Sequence, residues 1–192
     1  MFIVKQNYLK LYIGCMFAGK STSLLNEIGK YKHITDNILI INHRLDKNRG
    51  SLGELKTHDN KSCKAILLSN LQDIYLSLSV LTAYESADVI VIDECQFFDD
   101  LYDFIKDELK RKEKCKIFIV GGLSGDSDLN LIGNTHKLIP LADEIIKLNA
   151  YCSLCKNGTY ASFTKRIVNI DSQVLVGKDD FYVPVCRIHF LC

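Results

Sequence analysis

Residues 8–22 read YLKLYIGCMFAGKST, and the fold turns on this stretch. Tyr8 to Ile13 alternates apolar and polar side chains and contains β-formers, the pattern of a strand. It runs straight into Gly14-Cys15-Met16-Phe17-Ala18-Gly19-Lys20-Ser21, a full match to GxxxxGK[ST]. Leu24, Leu25, Ile28 and Tyr31 then fall on one helical stripe. Strand, glycine turn and helix together make a phosphate cradle. The glycines let backbone N–H groups turn inward, Lys20 reaches the β- and γ-phosphates, and the Ser21 hydroxyl ligates Mg²⁺. The helix adds its positive N-terminal end.

Outward from the cradle, Asn37–Asn42 (NILIIN), Asp88–Glu94 (DVIVIDE) and Cys115–Leu123 (CKIFIVGGL) read as strands buried on both faces. Lys64–Leu68 reads as a further strand, and Leu141–Leu148 as a short helix or a strand lead-in. Helices are expected over Asp73–Tyr84, with Ile74, Leu78 and Leu81 in phase, and over Asp99–Lys112, acidic early and basic late. Residues 43–62 are polar, contain Gly50 and Gly53, and read as a long loop. Strands alternating with helices give an α/β fold: a P-loop NTPase-like parallel sheet flanked by helices. Asp93 and Glu94 end an apolar strand at the edge where ligands of such sheets collect. Asp93 suits Mg²⁺, held through water, and Glu94 suits a general base on a hydroxyl or a water.

Composition excludes several classes. The chain has 192 residues, 47% hydrophobic and 24% charged, an ordinary globular balance that argues against disorder or a coiled coil. The net charge of +1 argues against a grip on long nucleic acid. No apolar run reaches the 18 or so residues of a membrane helix, and the N-terminus lacks a secretory pattern. Eight cysteines without such a signal read as reduced thiols and metal ligands in a cytoplasmic protein.

Four of the donors pair. Cys152-x-x-Cys155 and Cys186-x-x-His189 have knuckle spacing, and two such pairs complete a tetrahedron of structural zinc. Cys192 is an alternative to His189 as fourth ligand. Cys15, Cys63, Cys95 and Cys115 have no partner at ligand spacing and read as plain thiols. Composition shifts near Asn149, which sets the expected boundary: a kinase-like α/β domain over 1–149 and a small zinc-binding domain over 150–192.

Taken in order, GCMFAGKST, THD, IDECQFF, LIPLADEIIKL and CxxC…FTKR…VCRIH resemble the type II thymidine kinases over nearly the whole chain. The resemblance implies transfer of the ATP γ-phosphoryl to the 5′-hydroxyl of deoxythymidine with Mg²⁺, a structural Zn²⁺ and a homotetramer. It implies no nucleic-acid or membrane partner. By this resemblance Gly14 to Thr22 hold the phosphates, with Asp93 and Gln96 beside them, and Glu94 is the catalytic base with Lys20. Phe97, Met16 and Leu123 line the base pocket. Thr164, Tyr182 and the backbone of Leu175, Val176 and Gly177 belong to a segment between the zinc pairs that closes over the base. Loss of zinc is then expected to reach nucleoside binding more than ATP binding. Arg49, His58 and Asp59 resemble the flexible loop of the family.

Three departures stand out. Cys15 replaces a proline that sets loop stiffness. The Asp46–Arg49 spacing is one residue longer. The family's LDG, followed by an aromatic and basic residues, is Leu123-Ser124-Gly125-Asp126-Ser127-Asp128-Leu129-Asn130, so Ser127 stands where a ring would pack on thymine. A thinner pocket wall is expected there, unless Leu129, Leu131 or Ile132 fills the gap.

Overall fold

The computed structural model describes residues 4–46, 54–56, 62–168 and 181–192. Its centre is a six-stranded sheet. In chain order its region contains β1 (Tyr8–Gly14), α1 (Lys20–Tyr31), β2 (Ile38–His43), β3 (Glu54–Lys56), β4 (Ser62–Lys64), β5 (Ile66–Leu68), α2 (Leu78–Ser86), β6 (Val89–Ile92), α3 (Leu101–Glu108), β7 (Ile117–Leu123) and β8 (Glu144–Leu148). The sheet order is β5-β2-β6-β7-β1-β8, and every pairing is parallel. Register puts Gly14 level with both Leu123 and Leu148, so the C-terminal strand ends share one edge.

The apolar runs are explained by burial on two faces. Ile90 and Ile92 join Leu9, Leu11, Phe118 and Val120 under Phe98, Leu101 and Phe104 of the α3 side. Val89 and Val91 join Tyr12, Leu24, Ile28 and Ile119 on the α1 side. All four residues of β6 are fully buried, and each contributes roughly 1.5–3 kcal/mol.

Three expectations are corrected. The helix expected over Asp73–Tyr84 is two pieces: a 3₁₀ turn, Leu71–Leu76, and α2. Asn70 and Asp73 close a capping box on the first piece, and Ser77, between the two pieces, is extended, at φ −123°. Leu78, expected in phase with the core, is 81% exposed. The stretch 43–62 read as a loop contains β3 and the first residue of β4, which pair antiparallel, because fully buried Leu55 packs into the α1-side core. The helix expected over Asp99–Lys112 is only Leu101–Glu108, since Lys110 and Arg111 N–H bond back to Asp107 and Glu108 in tight turns. Arg49, His58 and Asp59 lie outside the described residues.

Beyond the sheet come β9 (Ala150–Tyr151), β10 (Tyr160–Ala161), β11 (Phe163–Arg166), β12 (Tyr182–Val185) and α4 (Arg187–Leu191). They form two antiparallel pairs, β9–β10 and β11–β12. Among the described residues no helix is long and apolar enough to cross a membrane.

Candidate active site and metal centre

The cradle follows β1 at the C-terminal edge. Gly19 (φ 80°) and Phe17 (φ 62°) adopt left-handed backbone, which curls the loop. Lys20, only 8% exposed, donates from Nζ to the Cys15 carbonyl at 2.9 Å, across the loop. The Met16 N–H donates to Thr164 Oγ1 at 3.0 Å, so a β11 side chain anchors the loop.

Two strands away, the end of β6 supplies the acids. Ser21 Oγ donates to Asp93 Oδ2 at 2.7 Å, and Glu94 N–H donates to Asp93 Oδ1 at 2.9 Å. Burial, with the Glu94 charge added to it, pushes the Asp93 carboxyl up from its ordinary range. A divalent cation reverses that logic by favouring the ionised form. A hydroxyl and a carboxylate oxygen facing each other beside the cradle are the hard-oxygen donors Mg²⁺ takes.

Glu94 is left-handed (φ 49°) and buried. Gln96 holds its side chain: Nε2 donates to Glu94 Oε2, and Oε1 accepts from the Leu123 N–H at 3.1 Å. The Leu123 donor fixes which end of the amide is oxygen, and the donor end must then face the carboxylate. Gly122, next to last in β7, makes the room. A Cβ on Gly122 would strike Cys95 Sγ and crowd Gln96 Oε1.

Phe97 is half-buried against His43, ring centroids 5.7 Å apart, and His43 sits edge-on to Phe98 at 4.7 Å. His43 Nδ1 accepts from the Leu45 N–H at 3.0 Å, so Nε2 carries the proton and donates to Ser69 O at 2.9 Å. Leu123 also lines an open pocket with Ile13, Leu131, Ile132 and Ile139. Ser127 is half-buried in a turn closed by Asp126, whose Oδ1 accepts from the Asp128 and Asn130 N–H groups at 2.8 Å each. Of the residues named for filling the gap beside it, Leu131 and Ile132 line the pocket and Leu129 is 49% exposed. Tyr182 is buried beneath the Arg166 guanidinium, 5.6 Å from its ring. Leu175, Val176 and Gly177 lie outside the described residues.

The metal donors converge. Ligand atoms of Cys152, Cys155, Cys186 and His189 lie within 4.8 Å of one another. Cys155 and Cys186 Sγ are 3.7 Å apart, and His189 Nδ1 is 3.3–3.5 Å from the three sulfurs. A zinc tetrahedron with Zn–S near 2.3 Å has edges of about 3.7 Å, so the set fits Zn²⁺. The His189 backbone N–H, first among the causes, holds the Cys186 thiol below its ordinary range, which favours the thiolate a metal needs. Exposed Cys192 is not in this set, whereas His189 is.

Sequence reasoning missed the clamp of Gln96 on Glu94 and the buried His43 beneath Phe97. For Gln96 a signal existed: it stands two residues after the acid, and a short turn brings such a side chain back.

Known proteins match this chain over most of its length. The thymidine kinase family profile matches residues 7–190. A thymidine kinase of rice (Oryza sativa subsp. japonica) is 40% identical over 184 residues, 95% of this chain and 66% of its own length. One from Amsacta moorei entomopoxvirus is 36% identical over 186 residues, 94% of this chain and 96% of its own. One from Myxoma virus (strain Uriarra) is 36% identical over 179 residues, covering 93% of each.

Proposed function

The chain belongs to the thymidine kinase family, and from that premise we propose that it transfers the γ-phosphoryl group of ATP to the 5′-hydroxyl of deoxythymidine, giving dTMP for nucleotide salvage. The observation that carries the assignment of roles is the Glu94 carboxylate. It is buried, clamped by Gln96, and one residue from the Asp93–Ser21 pair at the cradle.

In this reading the loop amides and Lys20 hold the triphosphate. Ser21 and Asp93 hold Mg²⁺, which neutralises charge on the phosphates when bound. Glu94 accepts the 5′-hydroxyl proton as the oxygen attacks phosphorus in line with the leaving ADP. Phe97, Met16, Leu123, Thr164 and Tyr182, with the backbone of 175–177, enclose the nucleoside. Cys152, Cys155, Cys186 and His189 hold a structural Zn²⁺. We take 1–149 as the kinase domain and 150–192 as the zinc-binding domain. The same reading carries a homotetramer in the cytoplasm, with no nucleic-acid or membrane partner.

The test is to offer the protein ATP, Mg²⁺ and each deoxynucleoside, and to follow phosphate acceptance beside ATP hydrolysis with and without DNA. Thymidine should be the accepted substrate, and DNA should not stimulate hydrolysis. Glu94→Gln should cut kcat by ~10²–10⁴-fold with ATP affinity nearly unchanged. Lys20→Ala should weaken ATP binding as well. A Glu94→Gln enzyme keeping a third of its kcat, where a base is worth ~10²-fold or more, would move the base elsewhere.

A further inference from the structure

The residue after the first cradle glycine does not sit in the cradle's own core. Cys15 is 2% exposed, and its side chain belongs to an apolar cluster with Ala150, Cys152, Ala161, Val185 and Cys186. Two of those neighbours, Cys152 and Cys186, carry metal-ligand sulfurs. The Cys15 thiol donates to the Ala161 carbonyl of β10 at 3.3 Å. On its backbone side the Cys15 carbonyl accepts the Lys20 ammonium at 2.9 Å. One residue therefore touches the core of the metal centre with its side chain and the phosphate-binding lysine with its main chain. The next residue repeats the link, since the Met16 N–H is bound to Thr164 Oγ1 of β11.

We propose that Cys15 is a positioning residue through which the metal centre holds the phosphate loop, so that metal and nucleotide bind cooperatively. The proposal rests on the zinc and ATP assignments above and adds the energetic link between them.

The physical chain is short. Cys152 directly follows β9, its N–H bonds to Thr159 O at 2.8 Å, and β9 pairs with β10. Cys186 directly follows β12, which pairs with β11. Closing the Cys₃His set thus fixes the positions of the Ala161 carbonyl and the Thr164 hydroxyl. Opening it frees β9–β12, whose pairings run over only two to four residues. The loop then loses both outside anchors while its own strand and helix remain. A bound phosphate needs the loop amides and Lys20 already in place, so disorder at Cys15 and Met16 is paid when nucleotide binds. Linkage makes the effect reciprocal: whatever factor zinc adds to nucleotide affinity, nucleotide adds to zinc affinity. The expectation that zinc loss reaches nucleoside binding more than ATP binding assigned no such link to the phosphate loop.

The test uses the zinc-loaded full chain without nucleoside and reads no turnover. Equilibrium dialysis first establishes MgADP binding and zinc content. Zinc affinity is then measured by competition with a chelating dye, with and without saturating MgADP. MgADP should tighten zinc about 5–150-fold, the usual span of coupling between linked sites. MgADP affinity should fall by the same factor on zinc removal. In Cys15→Ala/Thr164→Val both factors should drop below about 2-fold, a span under that of ordinary coupling, with zinc content still one per chain. If this variant fails to fold, Cys15→Ala alone takes its place, and the factor should still fall; a folded Cys15→Ala that keeps the full factor overturns the proposal. A zinc affinity indifferent to MgADP overturns the proposal and leaves the kinase assignment standing. So does a variant that folds and keeps the full factor. A zinc-loaded chain that binds no MgADP removes both.

Discussion

The sheet region and the C-terminal region solve the same problem with different materials. The sheet region fills its interior with large side chains such as Leu9, Leu11, Ile41, Tyr84, Phe98, Phe104 and Phe118, all at most 1% exposed. The C-terminal region has Ala150, Ala161, Val185 and thiols, with Cys15 borrowed from the phosphate loop. Four buried strand residues contribute roughly 6–12 kcal/mol as an upper figure. A structural zinc site contributes about 10–16 kcal/mol of apparent binding free energy in small peptides. One strand of the sheet is thus worth about what a structural zinc supplies in such peptides. The first region is a fold held by burial; the second has a small apolar core beside four side chains that could hold a metal ion.

The sharpest way to break this contrast is to take the metal away. Cys155→Ser, or chelation of the wild type, should abolish stoichiometric zinc and unfold β9–β12. The near-ultraviolet tyrosine signal should fall, since Tyr151, Tyr160 and Tyr182 lie there and the chain has no tryptophan. Far-ultraviolet helix signal should persist, because α1–α3 pack on the sheet. A single transition that melts both regions together would show that the sheet region depends on the metal too.

The next effect belongs to the sheet region alone. Gln96→Leu removes the amide that bridges Glu94 and the Leu123 N–H and keeps a similar volume. A hydrogen bond to a charged group is worth about 1.5–3 kcal/mol, so kcat should fall about 10–100-fold. The KM for ATP should hardly move, and zinc content should stay at one. A parallel rise in the KM for ATP would mean that Gln96 serves the cradle and not Glu94.

The two regions were also unequally legible in the sequence. The apolar runs at 38–43, 89–92 and 117–123 announce buried strands because both faces are covered. The metal set is read from spacing, which is independent of packing. The β3–β4 pair was hidden because one apolar residue, Leu55, carries its burial. The break at Ser77 was hidden because helical phase continues through it, and only the capping box at Asn70 marks a separate turn. Cys15 was hidden most deeply. A lone thiol shows no ligand spacing, and its partner Ala161 lies 146 residues away in the chain.

A third substitution asks whether burial alone holds the sheet region. Lys116, immediately before β7, is 2% exposed, and its Nζ donates to Tyr84 O at 2.6 Å and Ala87 O at 2.8 Å. Its ammonium also lies 4.8 Å from the Tyr84 ring. It closes the C-terminal end of α2. Burial pushes its pKa down to about 8, so part of what it contributes is offset by lost hydration. Lys116→Met keeps the stem and leaves those carbonyls without this donor, which should cost about 1–3 kcal/mol in urea unfolding. Zinc content should be unaffected. A stability gain would mean that the buried charge costs more than its hydrogen bonds return.

The smallest expected effect tests whether a polar group inside the sheet region is tuned to stay neutral. His43 is 5% exposed, and burial, its leading cause, holds its pKa below the ordinary value of 6.5. The neutral ring is the form the fold uses, since Nδ1 accepts from the Leu45 N–H. Protonation would turn that acceptor into a second donor facing a donor. The sign follows from the depressed value. The stabilisation is complete above the unfolded value of about 6.5 and is lost as pH falls through the lower folded value. His43→Gln does not titrate, so the wild type should lose its advantage over this variant on acidification. Urea midpoints of both proteins from pH 7.5 downward measure that difference and cancel other titrating groups such as Asp93. The two curves should converge as pH falls. Because the His43 ring lies against Phe97, the KM for thymidine should rise more in the wild type than in the variant over the same interval. Parallel curves for stability would mean that His43 stays neutral throughout, and that its ring serves as an apolar prop for Phe97.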